Sequence, residues 1–129
     1  AQRAVCDALL CAIGEVGWVD DEALIDPVTA VSGSGPAYVF YLTECLAAAG
    51  VKAGLAPDLA ARLARATVAG SGELMRRSDQ SPATLRQNVT SPNGTTYAAL
   101  QVLMSDKGLE PLMTEAIAAA TRRSRELAK

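Results

Sequence analysis

The chain has 129 residues and a net charge of −2; half of it is hydrophobic, much of that alanine, and 4% is aromatic. This suits one domain, 1–129, whose single core is expected to bury roughly two-thirds of the surface the unfolded chain exposes, through close contact of small side chains. Lys and Arg fall singly or in pairs with no basic face, which argues against nucleic acid, and no apolar run approaches the roughly 20 residues of a membrane span or has the flanks of a signal peptide, so the chain reads as cytoplasmic with no membrane partner.

The first predicted helix carries Val5, Leu9, Ala12, Ile13 and Val16 at helical spacing and ends where Gly14 and Gly17 interrupt the run. The chain opens on Ala1-Gln2-Arg3, already within that pattern and without an initiator Met, and so reads as a piece of a longer protein. Asp20 is placed to cap a short turn through Asp21–Ile25, and Asp26-Pro27 to restart a helix toward Val31. Ser32-Gly33-Ser34-Gly35-Pro36 reads as a flexible polar break. The run from Ala37 to Leu42 is apolar all round, which predicts a helix buried on most sides that continues to about Ala49 and is stopped by Gly50 in a left-handed conformation.

Pro57 opens the next helix, with Leu59, Leu63, Ala66, Gly70 and Leu74 on one stripe. Gly70 and Gly72 weaken a helix interior, so their presence predicts another backbone packed close by. Ser81-Pro82 starts a short helix toward Asn88. A further helix carries Tyr97, Leu100, Val102, Leu103 and Met104 and stops at Asp106-Lys107-Gly108. The last helix has Leu109, Leu112, Met113, Ala116, Ile117 and Ala120 on its apolar side and a solvated basic end, Arg122-Arg123-Ser124-Arg125. The expected architecture is all-α, six or seven helices in a bundle-like domain.

Chemistry is scarce. Cys6, Cys11 and Cys45 are odd in number and lack Cys-x-x-Cys spacing, so neither a disulfide frame nor a zinc site is expected. There is no histidine, hence no usual general base near neutral pH, and no metal is expected. The one loaded segment is Val89-Thr90-Ser91-Pro92-Asn93-Gly94-Thr95-Thr96. With Ser91 as cap and Pro92 in the first turn, a helix would leave the amides of Asn93, Gly94, Thr95 and Thr96 unpaired and facing an anion, with Gly94 admitting it to the backbone. Hydroxyls and an amide at Thr90, Ser91, Asn93, Thr95 and Thr96 would orient the remainder of a small ligand. The same residues also make a well-capped helix start with no ligand.

The run from Asp26 to Tyr38, DPVTAVSGSGPAY, together with LRQNVTSPNGTT over 85–96, resembles the C-terminal domain of pyrroline-5-carboxylate reductase in order and spacing. The resemblance implies the dimerisation and substrate-binding half of an oxidoreductase that makes L-proline from 1-pyrroline-5-carboxylate with NADPH or NADH. It implies a homodimer of interlocked protomers, or a higher homo-oligomer. The dinucleotide would be held mainly by an N-terminal Rossmann domain, which this chain lacks, having no Gly-x-Gly-x-x-Gly and no βαβ pattern. It would be inactive alone. Carried over residue by residue, the carboxylate grip falls on Ser91 and the amides of Gly94 and Thr95, and Thr96 matches the catalytic threonine whose hydroxyl bonds the ring nitrogen. Asn93, at the rim of the substrate-binding turn, replaces a usual glycine; Asp79 stands for a usual Glu; and Pro27 replaces a usual alanine. Asp79, Asn88, Gly35 and Pro36 are further candidates for the pocket wall. The alternative is a non-enzymatic helical dimerisation or interaction module that kept the surface and lost the chemistry.

Overall fold

The computed structural model describes residues 2–128, and among them every regular element is helical. In chain order these are α1 (Gln2–Leu10), a 3₁₀ turn (Glu22–Leu24), α2 (Ile25–Val28), a π turn (Thr29–Gly33), α3 (Gly35–Lys52), α4 (Pro57–Arg77), α5 (Pro82–Asn88), α6 (Thr95–Leu103) and α7 (Leu109–Leu127). The all-α expectation holds, with seven α-helices.

Local chemistry explains most boundaries, with some shifts from the sequence reading. Asp21, not Asp20, caps the 3₁₀ turn, accepting from the Ala23 amide at 2.9 Å. Helix α2 starts before Asp26, whose carboxylate instead reaches the far end of the chain, accepting from the Ser124 hydroxyl at 2.6 Å beside Arg125 at 3.6 Å. That pairing draws part of the supposed solvated tail into the structure and fastens α7 to α2 and the π turn, which pack against each other.

The Ser32–Pro36 segment is no flexible break. The chain stays helical through it as one wide turn, closed by the Ser34 amide on the Thr29 carbonyl at 2.9 Å, and α3 follows with Pro36 in its first turn. Ser32 spends its hydroxyl on the Val28 carbonyl at 2.8 Å, and the Tyr38 hydroxyl reaches back to the carbonyl of fully buried Ala30 at 3.1 Å. These two bonds satisfy groups that the irregular turn would otherwise leave exposed to competition.

Gly50 does not stop α3, which runs on to Lys52. Gly54 is the left-handed residue, at φ 103°, and the Leu55 amide closes on Gly50 while the Gly54 amide closes on Val51, a Schellman ending. Gly50 has a different use. A Cβ there would meet Ala60 and Leu55 at 3.3 Å, because α3 and α4 cross at this point over buried Ala60 and Ala64.

That crossing is nearly the whole core. Ala30, Ala60 and Ala64 are the buried hydrophobic residues among those described, and the chain exposes 10408 Å². A folded monomer of 13.3 kDa exposes about 6,500 Å², and its unfolded chain about 19,000 Å². The single chain therefore buries just under half of its surface, not the expected two-thirds. Helix α3 is not buried on most sides, since Phe40 and Tyr41 are each 67% exposed. Among the described residues, and apart from the helix's own nearby backbone, nothing lies within 4 Å of where a Cβ at Gly70 or Gly72 would sit, so no second backbone of the same chain packs close there. Helix α6, apolar along Tyr97, Val102 and Leu103, makes no extended contact with another helix of its own chain.

Candidate functional site

The turn before α6 differs in one respect from the sequence reading: Pro92 lies outside the helix. The Gly94 amide donates to the Ser91 carbonyl at 3.1 Å, so residues 91–94 form a β-turn with Pro92 at its second position and Asn93 at its third, at φ 58°. This is the arrangement in which proline's fixed φ leads and a left-handed residue follows. Asparagine takes that conformation more readily than other non-glycine residues, and so keeps the turn. Helix α6 then begins at Thr95, with Gly94 as its cap at φ −80° and no side chain bonded to the free amides.

The first helical bond into the turn is from the Ala98 amide to the Gly94 carbonyl at 3.1 Å. The amides of Thr95, Thr96 and Tyr97 therefore have no partner within the helix, and they carry the positive end of the α6 dipole. The Gly94 and Asn93 amides lie outside this set, and Gly94's is already used in the turn. Gly94 has a steric role as well. The Ser91 hydroxyl lies so close against it that a Cβ at this position has no room.

Among the described residues, the side chains of Ser91, Asn93, Thr95 and Thr96 make no hydrogen bond, whereas Thr90 gives its hydroxyl to the Arg86 carbonyl at 2.7 Å and is spent. Thr96 is half-buried, while Ser91, Asn93 and Thr95 are exposed. The turn thus gathers three free amides, two exposed hydroxyls, one half-buried hydroxyl and one amide side chain on a single helix start. Such a set holds a carboxylate without any formal positive charge.

Asn88 closes the helix just before this turn, and Asp79 lies in the loop before that helix. The Asn88 side-chain amide donates to Gln80 at 3.0 Å, tying the end of α5 to the loop that carries exposed Asp79. Gly35 and Pro36 lie elsewhere, in the first turn of α3, and no hydrogen bond or extended packing joins them to residues 91–96 of the same chain. Among the described residues, none of the candidates lines either of two grooves of the single chain. One runs along α3 and α4 past Val39, Phe40, Thr43 and Arg65, and another lies between the end of α6 and α7 at Met104, Asp106 and Glu110.

Sequence reasoning missed a cluster at the N-terminal end. Trp18 donates its indole N–H to Asp7 at 2.7 Å and takes the Arg3 guanidinium over its ring at 4.6 Å, fastening the segment after α1 back onto it. Nothing in a spacing pattern marks a contact between residues 11 apart across an irregular loop. Among the described residues, no group of His, Cys, Asp and Glu could hold a metal ion, and no helix is long and apolar enough to cross a membrane.

Comparison with known proteins gives one consistent result. Residues 22–127 match the family described as pyrroline-5-carboxylate reductase dimerisation. The chain is 48% identical over its whole length to a pyrroline-5-carboxylate reductase of Pseudomonas aeruginosa, covering 47% of that protein. It is 42% identical over 98% of its length to one from Arabidopsis thaliana, covering 45% of it. A solved pyrroline-5-carboxylate reductase from Coxiella burnetii superposes with a TM-score of 0.90 over 99% of this chain and 47% of that one, at 41% identity. The Plasmodium falciparum enzyme, solved with NADP bound, superposes at 0.80 over 98% of this chain and 48% of that one, at 32% identity. The chain spans about half the length of the relatives it matches.

Proposed function

Because this chain belongs to the pyrroline-5-carboxylate reductase dimerisation family, we propose that it is the substrate-binding and dimerisation half, residues 1–129, of a cytoplasmic enzyme reducing 1-pyrroline-5-carboxylate to L-proline. The observation that carries this reading is the start of α6: three unpartnered amides and the unpartnered hydroxyls of Ser91 and Thr96 on one turn. In this reading the substrate carboxylate sits on the amides of Thr95 and Thr96 and accepts from Ser91. Gly94 shapes the turn rather than donating its amide, and Asn93 borders the site. The Thr96 hydroxyl, in the same first turn and half-buried, fixes the ring nitrogen. Orientation of this kind is worth several orders of magnitude when the reacting partner is also held in place.

Among the described residues there is no strand leading into a helix and no Gly-x-Gly-x-x-Gly phosphate loop, so NADPH or NADH would be held mainly by an N-terminal dinucleotide-binding half. Residues 89–96 carry no ionisable side chain and the chain has no histidine, so in this reading the imine proton comes from solvent or arrives with an already protonated imine.

Dimerisation is the second part of the proposal. The chain exposes roughly 4,000 Å² more than a folded monomer of its mass, or about 8,000 Å² over two copies, enough for an interface at or beyond the upper end of the obligate homodimer range. Apolar α6, the open face of α3 and the bare glycines of α4 would meet their counterparts in a second copy, which would also bring a Gly35–Pro36 segment to the turn of its partner.

The test joins the chain to a dinucleotide-binding half and measures NAD(P)H oxidation with 1-pyrroline-5-carboxylate. Thr96→Ala is expected to lower kcat/KM by about tenfold or more, and Thr96→Ser to recover part of the loss. Unchanged turnover in Thr96→Ala removes that residue's role. A wild-type fusion that dimerises but shows no turnover favours the non-enzymatic module.

A further inference from the structure

The chain has two asparagines, and the structure treats them differently. Asn88 is the last residue of α5, its side-chain amide is held by Gln80 at 3.0 Å, and β-branched Val89 follows it. Asn93 is exposed, makes no side-chain hydrogen bond, and occupies the left-handed region at φ 58°, the one such non-glycine residue among those described. Gly94 follows it, with no side chain to shield its backbone nitrogen. A Cβ at Gly94 would fall on the Ser91 hydroxyl, so the packing of the turn favours glycine after Asn93.

We propose that Asn93-Gly94 is a site of spontaneous covalent modification that places a carboxylate at the rim of the α6 turn and lowers its affinity for carboxylate ligands as the protein ages. The second half of this statement rests on the function proposed above. The backbone nitrogen of Gly94, on losing its proton, attacks Cγ of Asn93. The new N–Cγ bond closes a five-membered succinimide, the Cγ–Nδ2 bond breaks, and ammonia leaves with the proton. Water then opens the ring at either carbonyl, giving aspartate or isoaspartate at position 93. No oxidant or reductant takes part, and each route exchanges a neutral amide for a carboxylate.

The hydrogen bond from the Gly94 amide to the Ser91 carbonyl, at 3.1 Å, must open before the nitrogen can turn toward Cγ. Conversion therefore reports how often this turn opens. An anion seated on the neighbouring amides would hold the turn closed and slow it. At Asn88 the Gln80 contact and the branched Val89 oppose the same reaction. The aspartate product keeps the backbone path, while isoaspartate adds a methylene to the main chain at the residue whose φ defines the turn.

The experiment incubates the full chain warm at mildly alkaline pH and follows the tryptic peptide 87–107, which carries both asparagines. Conversion confined to position 93, with isoaspartyl exceeding aspartyl product and none in Asn93→Gly, is the expected result. Conversion of Asn88 at the same rate overturns the proposal. So does an intact Asn93 over the time in which a urea-unfolded sample converts. In a second arm, proline is titrated by calorimetry onto fresh wild type and onto Asn93→Asp, which is expected to bind about tenfold more weakly from one unfavourable charge contact near the surface. Equal affinity overturns the charge effect. If fresh wild type takes up no proline, the carboxylate reading of the turn fails, and the peptide masses alone decide the modification.

Discussion

Replacing Gly94 with alanine tests the packing of the turn through a single methyl group. The backbone there, at φ −80° and ψ 179°, suits any L-residue, so conformational strain plays no part. The conflict is steric: the added Cβ would fall on the Ser91 hydroxyl and lie 3.2 Å from the Ser91 carbonyl oxygen. Overpacking of this kind costs about 1 kcal/mol at the low end of its range, appropriate because the hydroxyl can rotate away. Against this, alanine narrows the unfolded ensemble and returns about 0.5 kcal/mol. Gly94→Ala should thus destabilise wild type by about 0.5 kcal/mol, yet stabilise Ser91→Ala by a similar amount, a coupling of about 1 kcal/mol. Urea unfolding of the four proteins of this cycle at one fixed protomer concentration reads it as shifts in midpoint at constant slope. A coupling under about 0.3 kcal/mol would show that Ser91 and Gly94 act independently and that the contact does not shape the turn.

Two further predictions concern the supports of the fold. Tyr38→Phe deprives the buried Ala30 carbonyl of its hydroxyl partner and should lower stability by about 1 kcal/mol, with faster amide exchange in the π turn; unchanged exchange would mean that the bond does not hold the turn. Glu73 accepts from Arg76 and Arg77 at the end of α4, and these hydrogen bonds hold its carboxyl below the usual range. A group whose folded pKa is lowered stabilises above its unfolded pKa and loses that contribution as pH falls through the folded value, so Glu73→Gln should flatten the acid limb of stability slightly, and only at low salt. An acid limb identical to wild type would remove the cluster from the account.

Helix starts built from near neighbours were legible in the sequence. Ser81-Pro82 opens α5 as read, with the Ser81 hydroxyl accepting from the Thr84 amide at 3.2 Å. Ambiguity entered where one residue type serves two geometries. Proline's fixed φ suits both a first helical turn and the second position of a β-turn, and only the φ of Asn93 decides between them at Pro92. Gly50 reads from the sequence as the end of α3, but the crossing with Ala60 claims it for packing, and the left-handed stop falls four residues later at Gly54. Serines and glycines at 32–35 read as a break because the ties that keep them helical come from the Ser32 hydroxyl and from Tyr38 in the following helix.

Burial was the least legible property. An apolar stripe states that a surface leaves water, not which chain covers it, and the stripes on α3, α6 and α7 were assigned to a core that the single chain does not form. The candidate site shows the same pattern. The α6 turn is complete in its local geometry, yet no extended packing within one chain joins it to Gly35 and Pro36, which the resemblance places in the pocket wall. The proposed second copy would account for both discrepancies.

The most direct test is therefore the mass of the folded chain by light scattering across micromolar dilution, with helicity followed in parallel. The account predicts the mass of two chains, or of a higher even assembly, with helical signal lost on the dilution that separates them. A stable, fully helical monomer over that range would contradict it, because such a monomer would have to leave about 4,000 Å² of surplus surface in water.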